Sequence, residues 1–579
     1  MRANRWKRGC QSKESGQVMV LIVLAMGLFL LGAGAFAVDM GNLWFHRQSA
    51  QNAADAACMA GAMDILAKAS GATVPGFIGS PFDCKGSSNV PCKYAAFNGY
   101  DGQNTTPGNQ VYVSFPTAAQ VTGVPSAVVP PTTFVPNAFM RVDVLDHVQT
   151  YFLGLLNGTR TQDVRSFAVC GTVLATAPVP LVVLNPTTSS SLQGNGNPTI
   201  KILGGPTKSV QVNSGSATAV GFGGTIDLSQ GGPDYKGSQL GTFGGPATPT
   251  GTFLPNSTYW IDHSAPVSDP FRNVAAPVCT AASCPITVPS DMVGKCTAAD
   301  IGAGNCNVDY VSKVGGVGKA HGCPDPGGCV LYSAGFYNGG ITVKNNTAIF
   351  DPGVYYLDGG LGLMANSMVR PSTFTPPAPN NIGGTMFYLT SDKANPAPKC
   401  SGQTGLVCVG SNSGKAGLDP FSITAAQCPG GAAIDPALLA ILPPGATTLT
   451  GNMLLAPCTG PYGDQLGTGQ YRGILFFGDR SSDVGGGWGG GGGFLLAGSM
   501  YFHQCNAAGT GIGCGAPPTD YNADFQFQGS SGSTSYVLGE IITDTFSAGG
   551  TPNISMVLNP NKTNSILKAT LVPWSNTSN

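Results

Sequence analysis

The chain has 579 residues, room for two to four domains of about 150 residues each. Hydrophobic residues at 42% exclude a disordered chain, and charged residues at only 10%, against about 25% in ordinary soluble domains, argue against a helical enzyme with salt-bridged surfaces. A formal net charge of −1 leaves no basic field for nucleic acid.

Residues 1–17 form a basic head carrying Arg2, Arg5, Lys7, Arg8 and Lys13. Val18 to Val38 then runs without a charge, and at 1.5 Å per residue it spans roughly 30 Å, the thickness of a hydrocarbon core. Basic flanks stay in the cytoplasm, so the N-terminus is expected inside and the bulk of the chain outside. Ala35-Phe36-Ala37 has the form of a signal-peptide cleavage site, a rival reading, but the apolar stretch exceeds the usual length of such regions and favours an uncleaved anchor. Residues 39–70 predict a continuation of the same helix: Asp39 to Ala69 contains no Pro, is rich in Ala, Met, Leu and Gln, and stops at Ser70-Gly71. Small residues recur every fourth position, Ser49, Ala53, Ala57 and Gly61 on one row and Ala50, Ala54, Cys58 and Ala62 on the next. Such rows let a second helix approach closely. The first row is a candidate contact for a membrane partner or a second copy, with packing on the protein's own next domain as the alternative.

The passage SGQVMVLIVLAMGLFLLGAGAFAVDMGNLWFHRQSAQNAADAACMAGA resembles the N-terminal segment of TadE/TadG-like proteins of tight-adherence (Flp) pilus assembly: a membrane run, an Asp just after it, and a Q-N-A-A-D-A-A box. Processed pilin-like members carry Glu five residues past the cleaved Gly. Here Leu21 stands five residues after Gly16, so the resemblance does not extend to cleavage. It implies a role in pilus assembly alongside other membrane proteins.

Residues 71–175 predict a small mixed α/β domain. It closes with two alternating segments, Ala138 to Asp146 and Val164 to Thr172, around the apolar turn YFLGLLNG. From 176 to 579 short β-rich runs follow one another, among them Thr199–Leu203, Ile341–Phe350, Gly353–Leu357, Thr385–Thr390, Gly473–Gly478 and Ser535–Phe546. No long amphipathic helix separates them, so β-α-β architecture is excluded in favour of a parallel β-solenoid or, alternatively, a β-sandwich. The passages Asp269–Pro277, Gly335–Gly360, Tyr471–Arg480 and LAGSMYFHQ resemble, in that order, the outer region of long TadG-like surface proteins. That resemblance implies a right-handed parallel β-helix.

Fourteen of the 17 cysteines fall into close sequential pairs: Cys84 with Cys92, Cys279 with Cys284, Cys296 with Cys306, Cys323 with Cys329, Cys400 with Cys408, Cys428 with Cys458, and Cys505 with Cys514. All lie beyond the apolar run, where an oxidising compartment favours local disulfides. Cys10, Cys58 and Cys170 are left over. Metal binding is the poorer reading, because no pair has C-x₂-C spacing and the five histidines are scattered. No metal or cofactor is expected.

A solenoid enzyme acting on polysaccharide needs grouped carboxylates. Asp351 with Asp358, and Asp479, Arg480 and Asp483, are the candidates, yet Asp351 and Asp358 flank a Gly-bounded strand, where Asp is commonly a turn cap, and a local ion pair explains Asp479-Arg480 as well as catalysis does. His503 and His263 lack a nucleophile at any recognisable spacing. Gly485 to Phe494 lacks the Lys-Ser/Thr of a phosphate loop, and Trp488, Tyr471 and Phe476 are either core residues or a sugar-stacking surface. The expected protein is a membrane-anchored, exported, non-catalytic component of pilus assembly or surface adhesion. The alternatives are a secreted β-helix adhesin or glycan-binding protein and, behind it, a polysaccharide lyase or hydrolase.

Overall fold

The computed structural model describes residues 15–70, 74–103, 108–132, 135–154, 158–176, 178–272, 274–277, 308–311, 319–373, 384–400, 403–410, 421–422, 448–449, 451–456, 471, 473–489, 493–506, 514–515, 517–529, 534–558 and 565–572. Helix α1 runs unbroken from Ser15 to Ala69. Its two halves have opposite environments. Val18 to Leu24 and Leu28 to Leu31 leave their apolar side chains more than half exposed, whereas Ala50, Ala53, Ala54, Ala57, Cys58 and Ala62 are fully buried. The first half therefore has no protein core of its own to enter, and lipid is the solvent that its composition suits.

The buried half of α1 packs on α2 (Val90–Phe97) and on an antiparallel sheet. That sheet is built from β1 (Phe82–Asp83), β2 (Asn109–Ser114), β3 (Phe139–Gln149), β4 (Thr161–Thr176) and, last in order, the C-terminal strand Ser565–Leu571. Burial along β3 alternates as a strand with one face on a helix must, with Val142, Val144 and Val148 inside. Gly171 lies opposite Phe139, where a Cβ would sit 2.3 Å from the Ala138 carbonyl oxygen. The C-terminal strand pairs with β4 from Cys170 to Thr176. This corrects the expected boundary: the last strand belongs to the small domain rather than to an outer domain reaching 579, and the solenoid is inserted between β4 and that strand.

Among the described residues the solenoid shows three long parallel sheets, of seven, ten and eight strands, and a four-stranded sheet with one antiparallel strand. No sandwich forms, because each short strand pairs with the matching strand of the next rung and the inward side chains make one continuous core. In one face, Leu181–Val183 pairs on one side with Lys208–Val212 and on the other with Ile541–Thr543. The chain thus enters the stack in the middle. One arm winds away through Gln239–Thr242 to Trp260–Ile261, and the other returns from Gly335–Asn338 through Gly353–Asp358, Thr385–Thr390, Ile474–Gly478 and Ser499–Phe502. Aromatic rings stack along the returning core, Tyr337 to Tyr355 at 5.9 Å, Tyr355 to Phe387 at 5.1 Å and Phe387 to Phe476 at 5.7 Å. Glycine pairs make the corners. Gly340 and Gly360 take φ of 69° and 71°, and a Cβ on Gly340 would lie 2.3 Å from the Gly360 carbonyl oxygen of the next rung.

Candidate functional site

The region with most to hold in place is the seam where α1 leaves its exposed half and meets the sheet. Asp39, the first charge after the apolar run, is buried at the tip of the β3–β4 hairpin. Its carboxylate accepts the successive backbone N–H groups of Tyr151, Phe152 and Leu153 at 2.8, 2.7 and 2.5 Å. One turn on, Asn42 Nδ2 donates to the Gln149 carbonyl at 3.1 Å. Next along the helix, His46 Nδ1 meets Asp146 Oδ2 at 2.8 Å, and the Tyr100 hydroxyl donates to the same oxygen at 3.1 Å. Burial together with the Asp146 charge pushes the Tyr100 phenol up to about 12, so it remains a donor. Gln51 Nε2 donates to the Phe167 carbonyl at 3.0 Å. A disulfide then joins Cys58 of α1 to Cys170 of β4, 112 residues apart. These contacts tie the helix to the sheet from Asp39 to Cys58. A cleft of about 240 Å³ opens beside them, lined by Arg47, Asp55, Arg165 and Leu571 among others.

Cysteines left over by spacing thus include the pair that binds the two ends of the small domain. Proximity in sequence is the only signal that single-chain spacing offers, and 112 residues carry none. The structure also joins Cys84 to Cys92, Cys323 to Cys329 and Cys505 to Cys514, and Cys408 is disulfide-bonded. Cys279, Cys284, Cys296, Cys306, Cys428 and Cys458 lie outside the described residues.

Of the carboxylates weighed for catalysis, Asp351, Asp358 and Asp479 make hydrogen bonds within the fold. Asp351 meets His321 Nδ1 at 2.6 Å, while Asp358 accepts from Thr390 Oγ1 at 3.1 Å and Asn395 Nδ2 at 3.2 Å. They stand at opposite ends of the strand Gly353–Asp358. Asp479 caps the Ser481 N–H at 3.0 Å. Arg480 lies over the Phe477 and Tyr501 rings and donates to the Tyr501 hydroxyl at 2.7 Å and to the Val274 carbonyl at 2.9 Å; it also donates to the Phe271 carbonyl. It therefore pins the segment around Phe271 to the outer side of the solenoid face. His263 is exposed beside Asp262, and His503 is buried against Asp544. Trp488, Tyr471 and Phe476 are core side chains, not a stacking surface.

Residues 16–64 match a family model described as Flp pilus-assembly TadE/G-like. The N-terminal segment is TadE/G-like. The match covers the bare half of α1 and most of its docked half, and with one long apolar helix among the described residues it fits a membrane-anchored, exported protein related to pili. The chain also aligns with the crystal structure of the competence-associated pilin ComZ from Thermus thermophilus, at 7% identity over 80% of this chain and 84% of that one. The TM-score is 0.22, too low to carry any argument. No curated protein matches the chain.

The row Ser49, Ala53, Ala57 and Gly61 lies in this TadE/G-like segment and is a packing surface, but its occupant is the protein's own body. Ala53 and Ala57 are fully buried, and a Cβ on Gly61 would sit 2.3 Å from Met140 Sδ. The expectation of a free partner face is corrected accordingly. Small residues are needed here because a helix must approach a sheet closely, the same steric demand that a partner helix would impose. The double substitution Ala53→Leu, Ala57→Leu is therefore expected to destabilise the small domain by about 1–3 kcal/mol per site through overpacking. Limited proteolysis of the TadE/G-like segment in detergent reads this directly, and unchanged protease resistance would contradict it.

Proposed function

We propose that the protein is a non-catalytic, membrane-anchored component of Flp pilus assembly or tight adherence that carries a β-solenoid outside the cytoplasmic membrane. The observation carrying this reading is that the TadE/G-like match falls on one helix, bare over its first half and bonded to the body over its second. The basic head keeps the N-terminus inside. The solenoid is attached at the middle of its stack through two adjacent antiparallel strands, β4 and Ser565–Leu571. Pulling on either arm therefore loads a paired ladder and the Cys58–Cys170 bridge rather than a single loop. Its partners in this reading are pilus-assembly membrane proteins or a second copy, and its outer face meets a glycan or another surface ligand.

Deleting the gene, then complementing it with the full chain, tests the assignment. Piliation or surface adherence should fall on deletion and return on complementation. Protease added to spheroplasts should remove the chain beyond Asp39 and leave a short N-terminal fragment. Unchanged piliation with binding of the purified protein to a glycan array would favour the secreted adhesin instead, and release of reducing ends from polysaccharide would favour an enzyme.

A further inference from the structure

At the hairpin tip between β3 and β4 the sequence Thr150-Tyr-Phe-Leu-Gly154 carries no charge. A polar turn would be expected at an exposed hairpin end, yet Tyr151 is 69% and Phe152 43% exposed. The tip is not free to wander, because the three N–H bonds to Asp39 hold it against the first turn of α1 beyond the apolar run. The same level of the helix exposes Phe36, Val38 and Met40, and Trp44 and Phe45 stand exposed roughly 8–9 Å further along, at 1.5 Å per residue. Two elements distant in sequence thus place bare aromatic side chains around one short section of the helix axis.

We propose that the β3–β4 hairpin tip is a second membrane contact, seating Tyr151 and Phe152 in the interfacial layer of the phospholipid bilayer beside the point where α1 emerges. The inference rests on the membrane-anchored reading above. Lipid is the occupant because the tip is continuous with the exposed apolar surface of residues 18–38, which it abuts at Asp39. Aromatic rings also favour the headgroup boundary, where one edge is dry and the other wet. Asp39 tolerates this position because its charge is spent on backbone donors rather than left facing hydrocarbon. A single helix leaves tilt and rotation unconstrained, whereas a second contact bonded to its base fixes the orientation of the body over the membrane.

The full chain, reconstituted in nanodiscs of phosphatidylethanolamine and phosphatidylglycerol, is tested with the photo-crosslinker p-benzoylphenylalanine placed in turn at Phe29, Phe152 and Tyr112. Tyr112 is 46% exposed and pairs with Asp143 of β3, six residues or roughly 20 Å of strand below Gln149. Phospholipid adducts are expected at positions 29 and 152 and not at 112. Adducts at 29 without any at 152 would overturn the second contact while leaving the anchor intact. Absence of adducts at both would overturn the anchor and the tip together, and equal labelling at 152 and 112 would remove the claim that contact is confined to the tip.

Discussion

Removing the Cys58–Cys170 bridge by the double substitution Cys58→Ala, Cys170→Ala is expected to destabilise the small domain by about 5 kcal/mol, the largest effect of any disulfide described here. The chain-entropy account of cross-links scales with the logarithm of the closed loop, and a loop of about 100 residues yields roughly 4.7 kcal/mol where one of seven to ten yields about 2.5. The bridge at 58 and 170 spans 112 residues, against 8 for Cys84–Cys92, 6 for Cys323–Cys329 and 9 for Cys505–Cys514. It also joins α1 to β4, the strand from which the chain passes into the solenoid. Pulse proteolysis across a urea series in detergent gives the midpoint of the seam. The comparison that decides is with Cys84→Ala, Cys92→Ala: equal losses in the two variants would refute the loop-length argument.

Local features of this fold could be read from residues, and long-range ones could not. The apolar run and the Pro-free, Ala-rich stretch after it specify one helix, because both halves obey the same propensities whatever surrounds them. Alternation at Val142 and Val144 marks β3, since a sheet face on a helix must be apolar every second residue. The Gly-bounded runs of the solenoid are visible as strands for the same reason. Which rung stacks on which is not visible: Leu181–Val183 pairs with Ile541–Thr543 across some 360 residues of sequence, and nothing in either tripeptide names the other. The strand Ser565–Leu571 shows how a real signal is lost. SILKATL is strand-like, but strandness alone assigns it to the nearest β-rich region, which is the solenoid, when its partner is β4. At the seam, Asp39 stands out as the charge that ends an apolar run, while its three backbone donors come from a turn more than a hundred residues away. The small-residue rows announced a close approach and left its partner open. Asp351 and Asp358, read as turn caps, instead accept from His321, Thr390 and Asn395 side chains, while Asp479, read as a partner of Arg480, caps the Ser481 N–H.

A second large effect is expected at His503 and Asp544, where two rungs of the solenoid meet at a corner. His503 Nδ1 lies 2.5 Å from Asp544 Oδ1, and neither side chain has more than a trace of solvent exposure. Asp544 Oδ2 accepts the N–H groups of Gln504 at 2.8 Å and Ala523 at 3.0 Å. Burial alone would push both groups toward neutrality, raising the carboxyl and lowering the imidazole. For Asp544 burial wins, and its carboxyl is raised above the ordinary value although His503 and the two N–H donors oppose it; at His503 the Asp544 charge and hydrogen bond outweigh burial and raise the imidazole above the ordinary histidine value. Asp269 adds to this, Arg480 opposes it, and the Tyr501 and Tyr521 rings and Cys514 Sγ complete the surroundings. Because the folded value is raised, the stabilisation is fully present below the unfolded value of about 6.5 and is lost as pH rises through the folded one. The thermal midpoint of the solenoid should therefore fall as pH rises above about 6.5. His503→Gln should lower the midpoint at pH 6 strongly, since leaving a buried carboxylate unpaired costs about 3–5 kcal/mol. It should also flatten the alkaline fall, and adding Asp544→Asn should restore part of the loss. If His503→Gln declines with pH as steeply as the unsubstituted protein, the titrating group is elsewhere and the pair is neutral in the folded state.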